Sequence, residues 1–258
     1  MDLGLRGKTA VVTGGSKGIG YAVAKAFLKE GANVVICSRN PGNAVESLSE
    51  FGNVIGIEAD VTKKEDAEYL ADCAYKYFGR IDCWVNNVGA SFPKEGTEYD
   101  EQQISRVAQV CFYSVIYGCQ AAFRYMKRTG GAIVNISSLA ARCGTIGAST
   151  LYGPLKAAVE TLSVTFAGEY AAYGIRVNTV RPGFTITPAV KKNIEKKYLE
   201  RKEKDTLLRR LAEPDEIAAP VLFLCGEKTS YMTGTVMDVT GGMGMALNPE
   251  YSYEKKQS

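Results

Sequence analysis

The amino-acid sequence predicts an α/β fold in which helices cover both faces of one doubly wound parallel sheet. Short apolar, β-branched segments alternate with longer amphipathic segments over the 258 residues, a pattern that favours right-handed strand-helix-strand units. The strand segments are almost continuously apolar, as expected of strands buried on both faces. A glycine-rich turn follows the first strand, which is typical of a Rossmann-type sheet. No repeat or linker divides the sequence, so we expect a single domain over residues 1–258.

Seven strands are expected, each a short run rich in apolar and β-branched residues. In chain order they are Thr9–Thr13, Asn33–Cys37, Val54–Ile57, Cys83–Val85, Ala132–Ile136, Arg176–Val180 and Val236–Val239. Parallel strands need long crossover connections, so helices are predicted between them.

Three of the intervening segments carry clear helical signals. Residues 19–30 are amphipathic and are followed by Gly31, a suitable C-terminal cap. The segment Thr62-Lys-Lys-Glu65 has the spacing of a capping box and predicts that a helix begins there. Apolar residues three or four positions apart predict one buried face of a long helix: Leu155, Val159, Leu162, Phe166 and Tyr170.

Residues 184–213 interrupt this alternation and are predicted to be an insertion that contacts the substrate. A charged, helix-like segment runs from Ala189 to Arg210. Residues 191–210 hold nine Lys or Arg and four Asp or Glu, so the segment has an excess of positive charge. Insertions after a strand's carboxyl end lie where ligands bind in such sheets.

Composition excludes several classes of chemistry. The chain has no histidine, which rules out a histidine base, a Ser-His-Asp triad and a histidine metal ligand. Its seven cysteines are scattered without a Cys-x-x-Cys pair, so we expect no metal or redox site and a reduced, cytoplasmic protein. A net charge of +3 does not indicate a nucleic-acid partner. No apolar run is long enough for a membrane span, and no signal peptide is recognisable.

The glycine-rich turn predicts a dinucleotide site. Gly14, Gly18 and Gly20 permit a tight turn and a close approach of the backbone to a pyrophosphate, and the helix N-terminus that follows offers N–H groups. Alone, the pattern also suits an ordinary glycine-rich turn. The other cofactor contacts predicted in this turn are Ser16, Lys17 and Ile19.

The residues after the second strand predict which nicotinamide cofactor binds. An acid here would hold the adenosine ribose hydroxyls, but the sequence reads Cys37-Ser38-Arg39-Asn40. Arg39 and Lys17 can instead bind a 2′-phosphate. We therefore expect NADP(H) rather than NAD(H), with Ser38 also in contact; the alternative is that both cations are solvated surface charges.

Together with motifs further along, these features resemble the short-chain dehydrogenase/reductase family over nearly the whole chain. Thr13-Gly-x-x-x-Gly18-x-Gly20 resembles its cofactor motif, Asn86-Asn-Val-Gly89 its Asn-Asn-Ala-Gly, and Arg181-Pro-Gly183 its nicotinamide-side loop. The resemblance implies further cofactor contacts from Asp60, Val61, Asn87, Gly89, Tyr152, Lys156, Pro182, Gly183, Thr185 and Thr187. Because family members are usually homotetramers or homodimers, it also implies a homo-oligomer.

Ser138, Tyr152 and Lys156 match the family's catalytic serine and Tyr-x-x-x-Lys pair. Residues four positions apart share one face of a helix. A neighbouring ammonium favours the phenolate, so we expect the pKa of Tyr152 to fall below its ordinary value of about 10. Tyr152 would exchange a proton with the substrate hydroxyl while Ser138 binds the oxyanion. The resemblance implies that Lys156 also holds the nicotinamide ribose.

One position departs from the family pattern. The asparagine that helps to hold a proton-relay water in the family falls on Cys111 here. A thiol is a weak hydrogen-bond partner, so we expect a reorganised relay or lower activity. Loss of catalysis, which would leave an NADP-binding regulator, is the alternative from a different class.

A bulky secondary alcohol is the predicted substrate. The segment from Tyr231 to Tyr251 resembles the end of bacterial hydroxysteroid dehydrogenases that act on bile acids. The cations of residues 191–210 would suit such an amphipathic anion, and Phe92, Phe184 and Met243 are candidates to line an apolar pocket. The alternatives are a 3-oxoacyl carrier-protein reductase, whose acidic carrier would dock on the same cations, and a sugar or polyol dehydrogenase.

Overall fold

The computed structural model describes residues 2–92, 97–146 and 149–257. Its strands are β1 (Thr9–Thr13), β2 (Asn33–Ser38), β3 (Val54–Glu58), β4 (Cys83–Asn86), β5 (Gly131–Ile136), β6 (Ile175–Pro182) and β7 (Val236–Val239). They form one parallel sheet in the order β3-β2-β1-β4-β5-β6-β7, which confirms the predicted fold class. The strand order reverses between β1 and β4, and such a switch point leaves a crevice for a ligand.

The helices of the described residues are α1 (Gly18–Lys29), α2 (Gly42–Leu48), α3 (Lys64–Phe78), α4 (Glu101–Ala108), α5 (Ser114–Met126), α6 (Tyr152–Ala171), α7 (Pro188–Asn193), α8 (Lys196–Lys204), α9 (Pro214–Cys225) and α10 (Tyr251–Gln257). A π-helical segment, Gln109–Tyr113, joins α4 to α5 without a break. Short 3-10 segments occur at Ser49–Phe51, Leu139–Ala141 and Glu227–Thr229. Within the described ranges, no helix is long and apolar enough to cross a membrane.

Two apolar cores enclose the sheet, one on each face. Successive residues of a strand point to opposite faces. Val12 of β1 therefore packs with Phe27 in the core under α1, α2 and α9, while Val11 packs with Trp84 in the core under α3, α5 and α6. This burial on both sides is the reason that the strands read as almost continuous apolar runs.

The buried face of α6 differs in part from the predicted one. Val159 and Tyr170 are buried as expected, but Leu155, Leu162 and Phe166 are only half-buried. The buried side is completed by small and polar residues, which periodicity of apolar residues does not detect. Its members are Gly153, Lys156, Val159, Ser163, Ala167 and Tyr170.

Two local predictions are wrong. Thr62 forms no capping box, because α3 begins at Lys64 without a side-chain cap and the Thr62 hydroxyl donates to Asp60 Oδ1 at 2.8 Å instead. The charged segment 189–210 is not one helix either. Ile194 takes an extended conformation with φ −119° and ψ 130°, so the segment divides into α7 and α8.

Arg176 of β6 caps the carboxyl end of α9. Its guanidinium donates to the carbonyl oxygens of Leu224 at 2.8 Å, Gly226 at 3.1 Å and Met232 at 3.1 Å. The last carbonyls of a helix have no partner within the helix and carry its negative partial charge. Arg176 therefore fastens α9 and the following turn to the sheet.

We expect Arg176→Met to lower the free energy of unfolding by about 2–4 kcal/mol, because three carbonyls lose a charged donor. Urea denaturation measures this change. Arg128→Met is the control, since Arg128 is exposed and has no ion-pair partner among the described residues; its change should stay within about 0.5 kcal/mol. Wild-type stability in Arg176→Met would contradict the capping role.

Candidate active site

The predicted site residues converge on one edge of the sheet, where the carboxyl ends of the parallel strands meet. Ile136 of β5 is in register with Val180 of β6, so the segments that follow these strands start side by side. The predicted groups that follow strand ends are residues 14–20 after β1, 38–39 at the end of β2, 60–61 after β3, 87–89 after β4, 138 after β5 and 183–187 after β6.

Hydrogen bonds lock the glycine turn to the end of β4. Asn87 Nδ2 donates to the carbonyl oxygens of Thr13 at 3.0 Å and Gly14 at 3.3 Å, and Thr13 Oγ1 accepts the Asn87 N–H at 3.0 Å. Gly20 lies so close to this turn that an added Cβ would overlap the Gly14 carbonyl. The turn therefore lies flat on the start of α1 and presents backbone rather than side chains.

The start of α1 fits a dinucleotide pyrophosphate. Lys17 is the N-cap residue and makes no side-chain hydrogen bond to the first turn, so the helix N-terminus keeps its N–H groups and partial positive charge for a ligand. Lys17 itself is exposed, while Ser16 and Ile19 are half-buried beside it. The bare glycine surface and the uncapped helix end suit the phosphates of a nicotinamide dinucleotide.

Arg39 and Ser38 lie where β2 ends, at the same edge of the sheet. Arg39 is exposed and has no ion-pair partner among the described residues. The Ser38 hydroxyl accepts the N–H of Asn40 at 3.3 Å. Glu58 of β3 lies in register with Ser38. Sequence reasoning overlooked this acid because only strand pairing brings it there.

The turn after β3 is also fixed by hydrogen bonds. Its residue Asp60 donates its N–H to the Asp66 carboxylate at 2.7 Å and accepts the N–H of Thr62 at 3.2 Å. The side chain of Val61 is buried. This turn thus places Asp60 and Val61 at the same edge as Arg39.

The loop after β6 folds back toward the glycine turn. Pro182 ends the strand, and the Thr185 hydroxyl donates to the Gly183 carbonyl at 3.1 Å. Thr187 caps α7 with its hydroxyl, and its methyl group lies against Gly18. The loop therefore brings α7 over the start of α1.

Ser138, Tyr152 and Lys156 lie together at this edge. Tyr152 opens α6, and interaction with the Ser138 hydroxyl acts to lower the pKa of its phenol. Ser138 Oγ also accepts the Ala140 N–H at 3.2 Å, which fixes its orientation. Lys156 is buried, with Nζ 5.9 Å from the centre of the Tyr152 ring and 2.8 Å from the Ile136 carbonyl oxygen, to which it donates.

Burial controls the protonation of the Tyr152–Lys156 pair. It raises the pKa of Tyr152 to about 12 and outweighs the interaction with Ser138, which acts in the opposite direction. Burial also lowers the pKa of Lys156. The expectation of a lowered Tyr152 pKa is therefore wrong for the protein alone, because removing the phenolate from water raises the pKa by more than the interaction with Ser138 lowers it. Tyr152 holds its proton at neutral pH.

Gly89 lies against the lysine of this pair, where an added Cβ would stand 2.8 Å from Lys156 Nζ. The segment after β4 therefore contacts both the glycine turn, through Asn87, and the catalytic candidates. The dinucleotide cradle and the Ser138–Tyr152–Lys156 group form one continuous site.

Comparison with known proteins agrees with this geometry. Residues 14–244 match the family model described as Enoyl-(Acyl carrier protein) reductase. The chain is 37% identical over 256 residues to Glucose 1-dehydrogenase 2 of Bacillus subtilis strain 168, covering 93% of this chain and 95% of the relative. It is 35% identical over 257 residues to 3beta-hydroxysteroid dehydrogenase 1 of Eggerthella lenta, covering 96% and 97%. A short-chain type dehydrogenase/reductase structure from Mycobacterium ulcerans superposes with a TM-score of 0.89 at 29% identity, covering 98% and 95%.

The chain belongs to the short-chain dehydrogenase/reductase family. It is an oxidoreductase of this family that acts on CH–OH groups, and the family uses a nicotinamide cofactor. The fold and the arrangement of the cradle agree with that membership.

Cys111 is the departure from the short-chain dehydrogenase/reductase pattern. It lies in the π-helical segment between α4 and α5, and its Sγ donates to the Ala90 carbonyl at 3.2 Å. The thiol is buried, and a negative charge on its sulfur would raise the pKa of both Tyr152 and Lys156. π-bulges often mark functional sites. The thiol therefore stands inside the site and connects the bulge to the segment after β4.

Sequence reasoning missed a set of polar residues beneath the site. Asn86 Nδ2 donates to Asn135 Oδ1 at 2.8 Å, and Asn135 Nδ2 donates to Ser163 Oγ at 2.8 Å. Ser137 Oγ donates to Glu160 at 2.7 Å. These bonds join β4, β5 and α6. The available signal was the alternation of Asn135 and Ser137 within an apolar strand, which points both side chains to one face.

The lowered pKa of Lys156 makes stability depend on pH within a defined window. Between the pKa of the folded state and the ordinary value of 10.5, the unfolded chain binds one proton more than the folded chain, so stability rises with pH. We expect the unfolding free energy of the wild type to increase relative to Lys156→Met across this window, by about 1.4 kcal/mol per unit of pKa lowering.

Denaturant titrations at several alkaline pH values measure this difference. Lys76→Met is the control, because Lys76 is exposed on α3 and should show no such trend. A gap between wild type and Lys156→Met that stays constant with pH would contradict the desolvation of the ammonium.

Proposed function

We propose that the protein is an NADP(H)-dependent oxidoreductase that interconverts a secondary alcohol and a ketone on a bulky apolar scaffold, with a hydroxysteroid such as a bile acid as the first substrate. The observation that carries this proposal is the Tyr152 phenol, which interacts with Ser138 and whose ring centre lies 5.9 Å from Nζ of the buried Lys156, next to the dinucleotide cradle. The name of the Eggerthella lenta relative supports the steroid substrate.

The residues divide the work of ketone reduction. NADPH supplies the hydride. Tyr152, whose pKa is raised to about 12, carries the proton and donates it to the developing alkoxide oxygen. The Ser138 hydroxyl hydrogen-bonds to the same oxygen and stabilises its negative charge. The Lys156 ammonium offsets the charge of the tyrosinate that remains, and alcohol oxidation reverses these steps.

Two exposed cations favour NADP(H) over NAD(H). Arg39 follows β2 directly, and Lys17 caps the start of α1; neither has an ion-pair partner in the described part of the chain. A guanidinium without a partner suits the 2′-phosphate of NADP(H). The carboxylate of Glu58 on β3 repels a 2′-phosphate. The proposed preference for NADP(H) therefore depends on Arg39 and Lys17 outweighing this one acid.

Exposed apolar side chains favour a bulky substrate. We call four of them the apolar wall: Ile146, Leu208, Met245 and Leu247. They belong to the segments that follow β5, β6 and β7 at the ligand-binding edge. Two of these segments are joined by the N–H of Leu208, which donates to the Gly241 carbonyl at 3.2 Å. Such a surface suits a polycyclic scaffold better than a sugar.

Cations near the wall favour a substrate with an anionic group. The exposed cations of α7 and α8 that lack an ion-pair partner within the described residues are Lys191, Lys192, Lys197, Arg201 and Lys204. A carboxylated steroid combines an apolar body with such an anion. The same cations favour a 3-oxoacyl carrier-protein reductase as the second candidate, and the matched family model carries the carrier protein in its description.

A substrate panel tests the reaction. The protein is given NADP⁺ and bile acids hydroxylated at single known positions, a 3-hydroxyacyl carrier protein, and glucose, which the Bacillus subtilis relative's name suggests. We expect absorbance of reduced nicotinamide with a bile acid. Turnover with the carrier protein alone, weakened by salt, would establish the second candidate instead.

Tyr152→Phe tests the chemistry. Removing the phenolic proton donor should lower kcat by about 10³-fold and leave NADPH affinity, measured by fluorescence titration, unchanged. Tyr77→Phe on α3 is the exposed control. A Tyr152→Phe enzyme that keeps more than a small fraction of the wild-type kcat would end the assignment of this residue.

Arg39→Gln tests the choice of cofactor. Loss of a charged partner for the 2′-phosphate should raise the KM for NADP(H) by about tenfold to a hundredfold and leave the KM for NAD(H) unchanged. Arg128→Gln, an exposed arginine that lies before β5 at the opposite edge, should change neither. Equal KM values for both cofactors in the wild type would reject the NADP(H) preference.

A further inference from the structure

Four charged residues form a continuous chain across the carboxyl ends of β6 and β7, which we call the ion chain. Glu160 of α6 accepts two hydrogen bonds from Arg181 of β6, at 2.8 Å from Nε and 2.6 Å from Nη2. Arg181 Nη1 donates to Asp238 of β7 at 2.8 Å, and Arg142 contacts the second Asp238 oxygen at 3.4 Å. Negative and positive charges alternate, so Arg181 and Asp238 each have a partner of opposite sign on both sides.

The inner end of the ion chain is tied to the segments that carry the catalytic candidates. Ser137 Oγ lies 2.7 Å from Glu160 Oε1 and 3.2 Å from the Lys156 carbonyl oxygen. Its N–H donates to the Val180 carbonyl at 2.8 Å. Glu160 is therefore fixed to the residue before Ser138 and to the helix of Lys156.

The outer end reaches the apolar wall. Arg142 Nη2 donates to the Gly244 carbonyl at 3.0 Å and lies 2.7 Å from Met245 Sδ. These bonds join the loop after β7 to a segment 102 positions earlier in the chain. By contrast, the Met245 N–H donates to the Gly242 carbonyl within the same loop. Arg142 thus connects a wall residue to the scaffold of the site.

The two ends differ in exposure. The side chains of Glu160 and Arg181 are each 13% exposed, whereas that of Arg142 is 34% exposed. A shielded, bidentate ion pair has a fixed geometry and is costly to break. Hydrogen bonds with Glu160 hold the pKa of Arg181 above its ordinary value, so it stays charged. The Glu160–Arg181 pair therefore has a fixed geometry, and Arg142 connects it, through Asp238, to the loop after β7.

We propose that Arg142 is a specificity-determining residue that sets the position of Met245 and its loop, and thereby the room for a bulky substrate. This inference rests on the proposed function and deepens it. Arg142 makes its contacts with protein groups and not with the reacting atoms, so a small alcohol that does not reach the wall should be insensitive to it. A bulky alcohol should respond chiefly through KM.

Arg142→Met tests the proposal with two secondary alcohols, the bile acid identified by the panel and cyclohexanol. We expect kcat/KM for the bile acid to fall by about tenfold or more through KM, with kcat/KM for cyclohexanol and the Kd for NADPH unchanged. Arg124→Met is the matched control, because Arg124 also has one ion pair of 3.4 Å, with Asp72, outside the site. It should change none of these values.

Two further measurements separate tethering from a general loss of structure. Arg142→Lys keeps the charge but not the three-way contact of the guanidinium, so its KM for the bile acid should lie between those of wild type and Arg142→Met. Amide hydrogen exchange should accelerate in residues 243–247 of Arg142→Met, and this readout requires no substrate. The thermal midpoint identifies any variant that fails to fold.

Equal losses for the bile acid and cyclohexanol would overturn the proposal, because they would place the effect at the catalytic side chains. Unchanged exchange in residues 243–247 would overturn it as well. A wild type that is inactive toward every alcohol tested would refute the proposed function instead, and the exchange result would still decide whether Arg142 holds the loop.

Discussion

Parallel strand pairing is the constraint on which the rest of the molecule depends. It brings the carboxyl ends of β1, β4, β5 and β6 to one edge, so residues far apart in the chain become neighbours there. Asn86 pairs in register with Asn135, and Ile136 with Val180. A shift of one residue in any of these pairings would turn the polar side chains beneath the site toward the opposite core. The apolar pattern on both faces of the strands therefore determines which polar side chains lie beneath the site as well as determining the fold.

Desolvation then sets the electrostatics at that edge. The same packing that buries Val159 one turn along α6 also buries Lys156, whose ammonium loses water and retains the Ile136 carbonyl. The cost of this burial lowers the pKa of the lysine and raises that of Tyr152. Because the chain has no histidine, the proposed proton transfer depends on Tyr152 and Lys156 instead of the imidazole that many enzymes use. Burying the charge lowers the stability of the folded chain, and the same burial produces shifted pKa values of the kind found at functional sites.

The sequence predicted the strands well because each is an uninterrupted apolar run bounded by turn residues, and the predicted site residues Ser138, Tyr152 and Lys156 follow β5 at one edge of the sheet. Features that depend on contacts between distant segments were not predictable. Thr62 was misread because Asp60 competes for its hydroxyl, and the pKa of Tyr152 was misjudged because spacing does not report burial. The ion chain joins four segments, and only the polar alternation of β5 hinted at it.

The arginines of this protein differ in whether fixed hydrogen-bond partners occupy their guanidinium groups. Arg181 donates to the carboxylates of Glu160 and Asp238, which offset its charge at the ligand-binding edge, while Arg176 donates to carbonyl oxygens at the opposite end of β6. Arg39 follows β2 at the ligand-binding edge and is exposed without an ion-pair partner in the described ranges. Arg142 stands between these cases, since one of its partners is the sulfur of a wall residue rather than a charge. Arg142 therefore links the ion-paired residues Arg181 and Asp238 to Met245 of the apolar wall.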